Sequence, residues 1–185
     1  YSWHDVTTQR SVLFPGFANA LHSTNEGHTT QLFGELSYAL LASDAGRIEP
    51  YLGYSHINTS LNAVQETGGV AALSVGAIDR NVDMLHGGVR MAAAMPVAGT
   101  GAIFIPNLSV GLQHSFGDRG GYASASIGGS APFAILGANV PRDAMEIDAG
   151  VRLNFGAIDL GVSYDSTISG GQADKGAKFT LNIRF

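Results

Sequence analysis

Cysteine is missing from all 185 residues, so neither a disulfide framework nor a thiolate metal site is open to the chain. Charge is scarce: Asp, Glu, Lys and Arg together make up 14% of the sequence, against roughly 25% in typical soluble domains. Long apolar runs are missing too. The mean hydropathy is +0.13, yet no stretch approaches the roughly 18 consecutive apolar residues that a membrane-spanning helix needs. Helical periodicity is hard to find anywhere. The formal net charge is −5 and Lys and Arg form no cluster, which argues against nucleic acid as a partner. What is present is glycine, 25 residues of it, about twice the average share. Two architectures suit this composition: a soluble β-sandwich, or a transmembrane β-barrel whose strands turn one face to lipid and the other to water.

Period-two alternation recurs from end to end and predicts eight main strands. They fall at residues 1–14, 28–41, 47–61, 79–95, 102–116, 143–155, 157–168 and 177–185. The sixth alternates most clearly. Met145, Ile147, Ala149, Val151, Leu153 and Phe155 form one stripe; Glu146, Asp148, Gly150, Arg152 and Asn154 form the other. In the seventh, Ile158, Leu160, Val162 and Tyr164 oppose Asp159, Gly161, Ser163 and Asp165. The connections at 43–46, 97–101 and 156–157 read as tight turns of small residues and Gly. Those at 15–27, 62–78, 117–142 and 169–176 read as longer loops rich in Gly, Ser, Asn and Pro, with room for a small hairpin inside 123–137. Short turns alternating with long loops are the pattern of an up-and-down outer-membrane barrel.

Alternation by itself cannot separate a sandwich from a barrel, because each buries one stripe and wets the other. Three features favour the barrel. Charge is sparse even on the polar stripes, where Gly and Ser abound. Trp3, Tyr38, Phe116, Phe155, Tyr164 and Phe185 fall near strand ends, where interfacial girdles sit. The final stretch, AKFTLNIRF, alternates without a fault and ends on an aromatic ring. In a soluble protein such an edge strand invites aggregation; in a barrel it pairs with the first strand and the edge disappears.

Phe179, Leu181, Ile183 and Phe185 resemble the terminal signal read by the outer-membrane barrel assembly machinery, an aromatic end with apolar residues at every second position before it. The segments YSWHDV with FPGF (1–6, 14–17), TTQLFGELSYAL (29–40), IEPYLGYSHI (48–57), LSVGLQHSFGD (108–118), PRDAMEIDAGVRLNF (141–155) and IDLGVSYDSTISG (158–170) follow in order. Together they resemble the β-domains of autotransporters, the type V secretion family. The resemblance implies a twelve-stranded antiparallel barrel with a helix through its pore, which links the barrel to a secreted N-terminal passenger. The present chain then supplies the fifth to the twelfth strand, and residues 1–185 are expected to be the C-terminal part of such a barrel. The opening Tyr1-Ser2-Trp3-His4-Asp5-Val6 already alternates, as expected of a strand cut from a longer polypeptide.

That resemblance carries functional expectations. The domain is expected in the outer membrane of a Gram-negative bacterium, with long loops outside and short turns and C-terminus in the periplasm. It forms a hydrophilic pore for its own passenger, and its partners are membrane lipid, the assembly machinery, the passenger and the linker helix. No enzymatic activity, cofactor or metal is implied. The polar stripes give a list of expected lumen residues: Glu35, Glu49, Arg90, Glu146, Asp148, Arg152, Asp159, Asp165, Lys178 and Arg184. Ionisable groups in a barrel wall need water or a partner. Arg152 with Asp159, and Lys178 with Asp165, are the pairs that suit cross-strand contact. These residues either line a hydrated pore or grip the plug helix; acidic ones in the second role could also polarise a peptide bond.

Other motifs point nowhere specific. His4, His22, His28, His56, His86 and His114 lack short metal-ligand spacing, and His114, on the apolar side beside Phe116, suits an interfacial position. The Gly-Gly pairs lack the Lys-Ser/Thr of a phosphate loop. Ser124, Ser126 and Ser130 sit in a Gly/Ser-rich loop with no His or acid arranged around them. Two alternatives stay open at this point: a small eight-stranded outer-membrane adhesin or structural protein, and a soluble lectin-like sandwich.

Overall fold

A computed structural model describes residues 1–184, and these form strands and turns with no helix among them. Phe185, the last residue of the expected terminal signal, lies outside the described residues. The strands are β1 (Ser2–Phe14), β2 (Phe17–Ser37), β3 (Leu41–Ser43), β4 (Gly46–Leu61), β5 (Val64–Gln65), β6 (Leu73–Val75) and β7 (Ile78–Ala93). They continue as β8 (Met95–Val97), β9 (Ala102–Gly117), β10 (Gly120–Ile127), β11 (Phe133–Asn139), β12 (Asp143–Phe155), β13 (Ile158–Ser169) and β14 (Gln172–Ile183). One sheet has the order β1-β2-β4-β7-β9-β12-β13-β14, with β3 beside β4 and β8 beside β9; a second has the order β11-β10-β6-β5. The eight strands of the longer order are the eight that alternation predicts. They neighbour one another in chain order, which is the up-and-down arrangement, and the order ends at β1 and β14.

Two of the four expected long loops are strands instead. Phe14 pairs with Phe17 across a two-residue Pro15-Gly16 turn, and β2 begins at Phe17 rather than near 28. Proline presets the first turn position and Gly16 supplies the positive φ of 83° at the second. Similarly, Ser169 pairs with Gln172 around Gly170 and Gly171, both at positive φ, as a two-residue hairpin requires. The extra residues, 17–27 and 172–176, are mostly polar on both faces, so they carry no two-faced signal. The other two connections are long and hold strands of their own, including the β10–β11 hairpin over the stretch expected to form one.

The chain forms two compact units. The first comprises Tyr1–Leu32, Ser55–Asp83 and Phe116–Val140. It contains the β1–β2 hairpin and the small sheet, tied together by polar contacts. Arg10 donates to both Glu66 carboxylate oxygens, at 3.1 and 2.5 Å, and to the Ala71 carbonyl at 2.8 Å. The Leu73 amide donates to Glu66 at 2.9 Å, and His22 and Thr67 exchange backbone bonds. Glu66 is 7% exposed. The Arg10 hydrogen bond, helped by the Leu73 amide, holds its carboxyl below the usual glutamate range against the opposing effect of burial.

The second unit comprises Phe33–Tyr54, Met84–Ser115 and Pro141–Phe185. Its register sorts side chains by face across four strands. On one face Phe104, Leu153, Leu160 and Leu181 lie side by side, then Pro106, Val151, Val162 and Phe179, then Leu108, Ala149, Tyr164 and Ala177. On the other face Ile105, Arg152, Gly161 and Thr180 align, then Asn107, Gly150, Ser163 and Lys178, then Ser109, Asp148, Asp165 and Gly176. The apolar face is not shut into a core. Val151 is 41% exposed, Leu181 51% and Phe179 68%, and the buried apolar residues described are mostly alanines. A soluble sandwich would bury this stripe, since apolar surface left in water forgoes about 25 cal/mol per Å². The row from Ile158 to Ile168 spans roughly 34 Å along the strand, and a tilt of about 40° gives a height near 26 Å, matching an apolar band about 25 Å tall.

Candidate functional site

The polar face of the second unit gathers the expected lumen residues around one arginine. Arg90, on β7, donates to Glu35 of β2 through both terminal nitrogens, at 2.6 and 2.8 Å. It also stands 4.0 Å from Glu49 of β4. Its guanidinium carbon lies 3.9 Å from the centre of the Tyr51 ring, a cation–π contact. The Tyr51 hydroxyl reaches over Gly88 and Gly111, into the space a β-carbon at either position would take. His86 is 3.7 Å from the Glu35 carboxylate. Glu49 is 8% exposed and pairs with Arg47. A carboxylate so enclosed needs compensating partners, and Arg47 and Arg90 provide them.

Glu146 and Asp148 face the same 530 Å³ hollow as Arg47, Glu49, Tyr51 and Arg90. Thus five of the ten expected lumen residues, Glu35 through its pair with Arg90, form one cluster. Of the remaining five, Arg152, Asp159, Lys178 and Arg184 line the face towards the 156–157 turn, and Asp165 stands beside Asp148. Arg152, Asp159 and Lys178 surround a second, 250 Å³ hollow that Asp148 also borders. Asp165 stands directly across from Asp148, a like-charge juxtaposition that needs water or a cationic visitor. Arg184 donates to Asp159 at 2.6 Å.

Neither cross-strand pair expected from sequence forms an ion pair among the described residues. Asp159 takes Arg184 and the Asn154 amide, the latter at 2.5 Å, because register sets Asn154 opposite it and leaves Arg152 opposite Gly161. Lys178 stands opposite Ser163, two positions from Asp165, which faces Gly176. Sequence reasoning also left out Tyr51, Arg47, His86 and Asp174. The first three share strand parity with Glu49 or Arg90, a signal that was present. Asp174, which aligns with Glu146 through Thr167, was hidden because β14 begins earlier than alternation indicates. Along β12 to β14 charge is therefore graded: Glu146, Asp148, Asp165 and Asp174 towards one end, and Arg152, Lys178 and Arg184, with Asp159 among them, towards the other.

The histidines are spread out. His4 pairs with Thr29, His22 with Thr67, His56 with Asp83 and His114 with Asp143, while His28 stacks on Tyr1. Among the described residues no three His, Asp or Glu side chains converge as metal ligands would.

A face of Gly, Ser and charges set against a face of aliphatic and aromatic side chains is the wall of a membrane barrel. The autotransporter beta-domain family model matches residues 1–165, and the chain belongs to that family. Curated relatives include two extracellular serine proteases of Serratia marcescens, each 26% identical over the whole of this chain. The chain spans 18% of their length, so the match to them runs through the β-domain alone. The family domain is the translocating, non-catalytic part of such polypeptides and works in the Gram-negative outer membrane.

Proposed function

We propose that residues 1–185 are the C-terminal part of a translocator barrel whose polar face lines a hydrophilic pore for the passenger of the same polypeptide. The observation that carries this reading is the row-by-row separation of faces in the second unit, with ionisable side chains gathered where a wet bore would be. The 62–77 and 118–142 connections lie outside the cell together with the 15–16 and 170–171 turns, and the short turns at 43–46, 97–101 and 156–157 lie in the periplasm. Phe179, Leu181 and Ile183 present the alternate apolar positions by which the barrel assembly machinery recognises the terminal strand.

In this role Glu35, Glu49, Arg90, Glu146, Asp148, Arg152, Asp159, Asp165, Lys178 and Arg184 keep the wall hydrated and rigid. Paired groups brace the sheet, Glu35 with Arg90 from β2 across β4 to β7 and Asp159 with Arg184 at the end of β13 and β14. The acids without a cationic partner in the wall offer transient contacts to a linker helix or moving chain. No catalytic residue is assigned. The test is a full-length polypeptide carrying Glu35→Gln, Glu146→Gln and Asp148→Asn, followed by protease accessibility of the passenger at the cell surface. Slower surface arrival from a correctly inserted barrel is expected. An unaltered rate would remove these acids from the transport path.

A further inference from the structure

On the apolar face of β9, β12, β13 and β14, ionisable side chains other than Tyr164 gather at one end. His114 and Asp143 form the row nearest the 118–142 connection, and Lys175 stands two rows further in, beside Val110, Ile147 and Ser166. Between these comes the row Leu112, Met145, Ile168 and Ala173. At the opposite boundary the same face offers Ala102, Phe155, Ile158 and Ile183, with no ionisable group among them. The two edges of the apolar band are therefore chemically unlike.

His114 Nδ1 and Asp143 Oδ1 are 2.7 Å apart, with both side chains open to the surroundings. Directly beneath them runs an apolar groove of 610 Å³ walled by Leu52, Leu85, Leu112, Met145 and Ile168, with Gly87 in its lining. The groove has room for hydrocarbon, and His114 and Asp143 stand in its lining. Lys175 can extend its stem along the face and carry its ammonium towards that end. His114 and Lys175 lie three strand spacings apart across the sheet and four residues apart along it, roughly 20 Å between backbone positions at about 4.8 Å per spacing and about 3.3 Å per residue.

We propose that this end of the apolar face binds a phosphorylated glycolipid of the outer leaflet, its acyl chains in the groove and its phosphates on His114 and Lys175. An imidazole and an ammonium set apart across the sheet suit a headgroup carrying more than one phosphate. Asp143 orients His114 and is placed to accept hydrogen bonds from sugar hydroxyls. The inference rests on the outward placement of this end, given above.

The test uses full-length polypeptide purified from outer membranes in detergent. It is titrated with bis-phosphorylated lipid A, monophosphorylated lipid A and phosphatidylglycerol, and bound lipid is counted by native mass spectrometry. Wild type should prefer the bis-phosphorylated lipid by about tenfold, the effect of one charge-assisted contact. His114→Gln with Lys175→Gln should abolish the preference while the protein keeps the heat-modifiable gel mobility of a folded barrel. Should the double variant fail to fold, Lys175→Gln alone must still reduce the preference. Equal retention of the three lipids by wild type, or a preference untouched in the variants, would overturn the proposal. Passenger display is measured in parallel: normal display without lipid preference refutes this site alone, whereas absent display by wild type refutes the translocator reading.

Discussion

Arg90 grips Glu35 with two hydrogen bonds, at 2.6 and 2.8 Å, while its guanidinium carbon rests 3.9 Å from the centre of the Tyr51 ring. One planar cation thus joins side chains from β2 and β4 to β7. Lysine cannot reproduce either the fork or the stacking. Arg90→Lys should lower the unfolding free energy of the vesicle-inserted, full-length polypeptide by about 1 kcal/mol, since both partners keep some solvent access. Tyr51→Phe, which preserves the ring, should lose less. Urea titrations superimposable on wild type for Arg90→Lys would contradict this role.

Asp159 and Arg184 are equally close, at 2.6 Å, but Arg184 is largely exposed. Screening and side-chain entropy leave such pairs little net effect. Arg184→Gln should therefore change stability by less than about 0.5 kcal/mol, and Asn154 continues to satisfy Asp159. A larger loss than for Arg90→Lys would reverse the ranking drawn from exposure.

Glu66 ties the β5–β6 turn to Arg10 outside the apolar band. Its folded carboxyl is held below the ordinary value of 4.5, first by the Arg10 hydrogen bond. A depressed carboxylate contributes stability that is complete above the unfolded value and lost as pH falls through the folded one. Amide exchange in residues 64–75 should therefore speed up as pH drops below about 4.5, after correction for intrinsic rates. Glu66→Gln should show the faster exchange at neutral pH and lose the acid dependence. Wild-type protection that persists unchanged into the acid range would argue against the latch.

Val162 and Ser163 are chain neighbours on opposite faces near the middle of the apolar band. Val162→Arg should cost about 2–4 kcal/mol of folding in lipid, the range for arginine on a lipid face at mid-depth, whereas arginine on a lumen face is tolerated. The yield of heat-modifiable protein separates the two: Val162→Arg should fall well below Ser163→Arg.

Much of this architecture was legible because a half-wet strand writes its two faces into alternate residues. The runs 143–155 and 158–168 were plain for that reason. Residues 17–27 and 172–176 were not, since their side chains are mostly polar on both faces and only the Pro15-Gly16 and Gly170-Gly171 turns betray the hairpins. Lumen residues were readable by parity, as with Glu35, Glu49 and Arg90. Their partners were not, because partnership depends on register between strands: Asp159 meets Asn154 and Asn182 on its neighbours and takes Arg184, with Arg152 two positions away. Tyr51 could have been found from its parity with Glu49, but its reach across Gly88 and Gly111 belongs to three strands at once.

The sequence contains no cysteine, so single cysteines placed along 158–165 report without background. Spin labels at each position of the full-length, membrane-inserted polypeptide should alternate: 158, 160, 162 and 164 relaxed by dissolved oxygen, 159, 161, 163 and 165 by a water-soluble nickel chelate. Uniform access of the chelate to both sets would contradict a lipid-facing apolar stripe and with it the barrel-wall account.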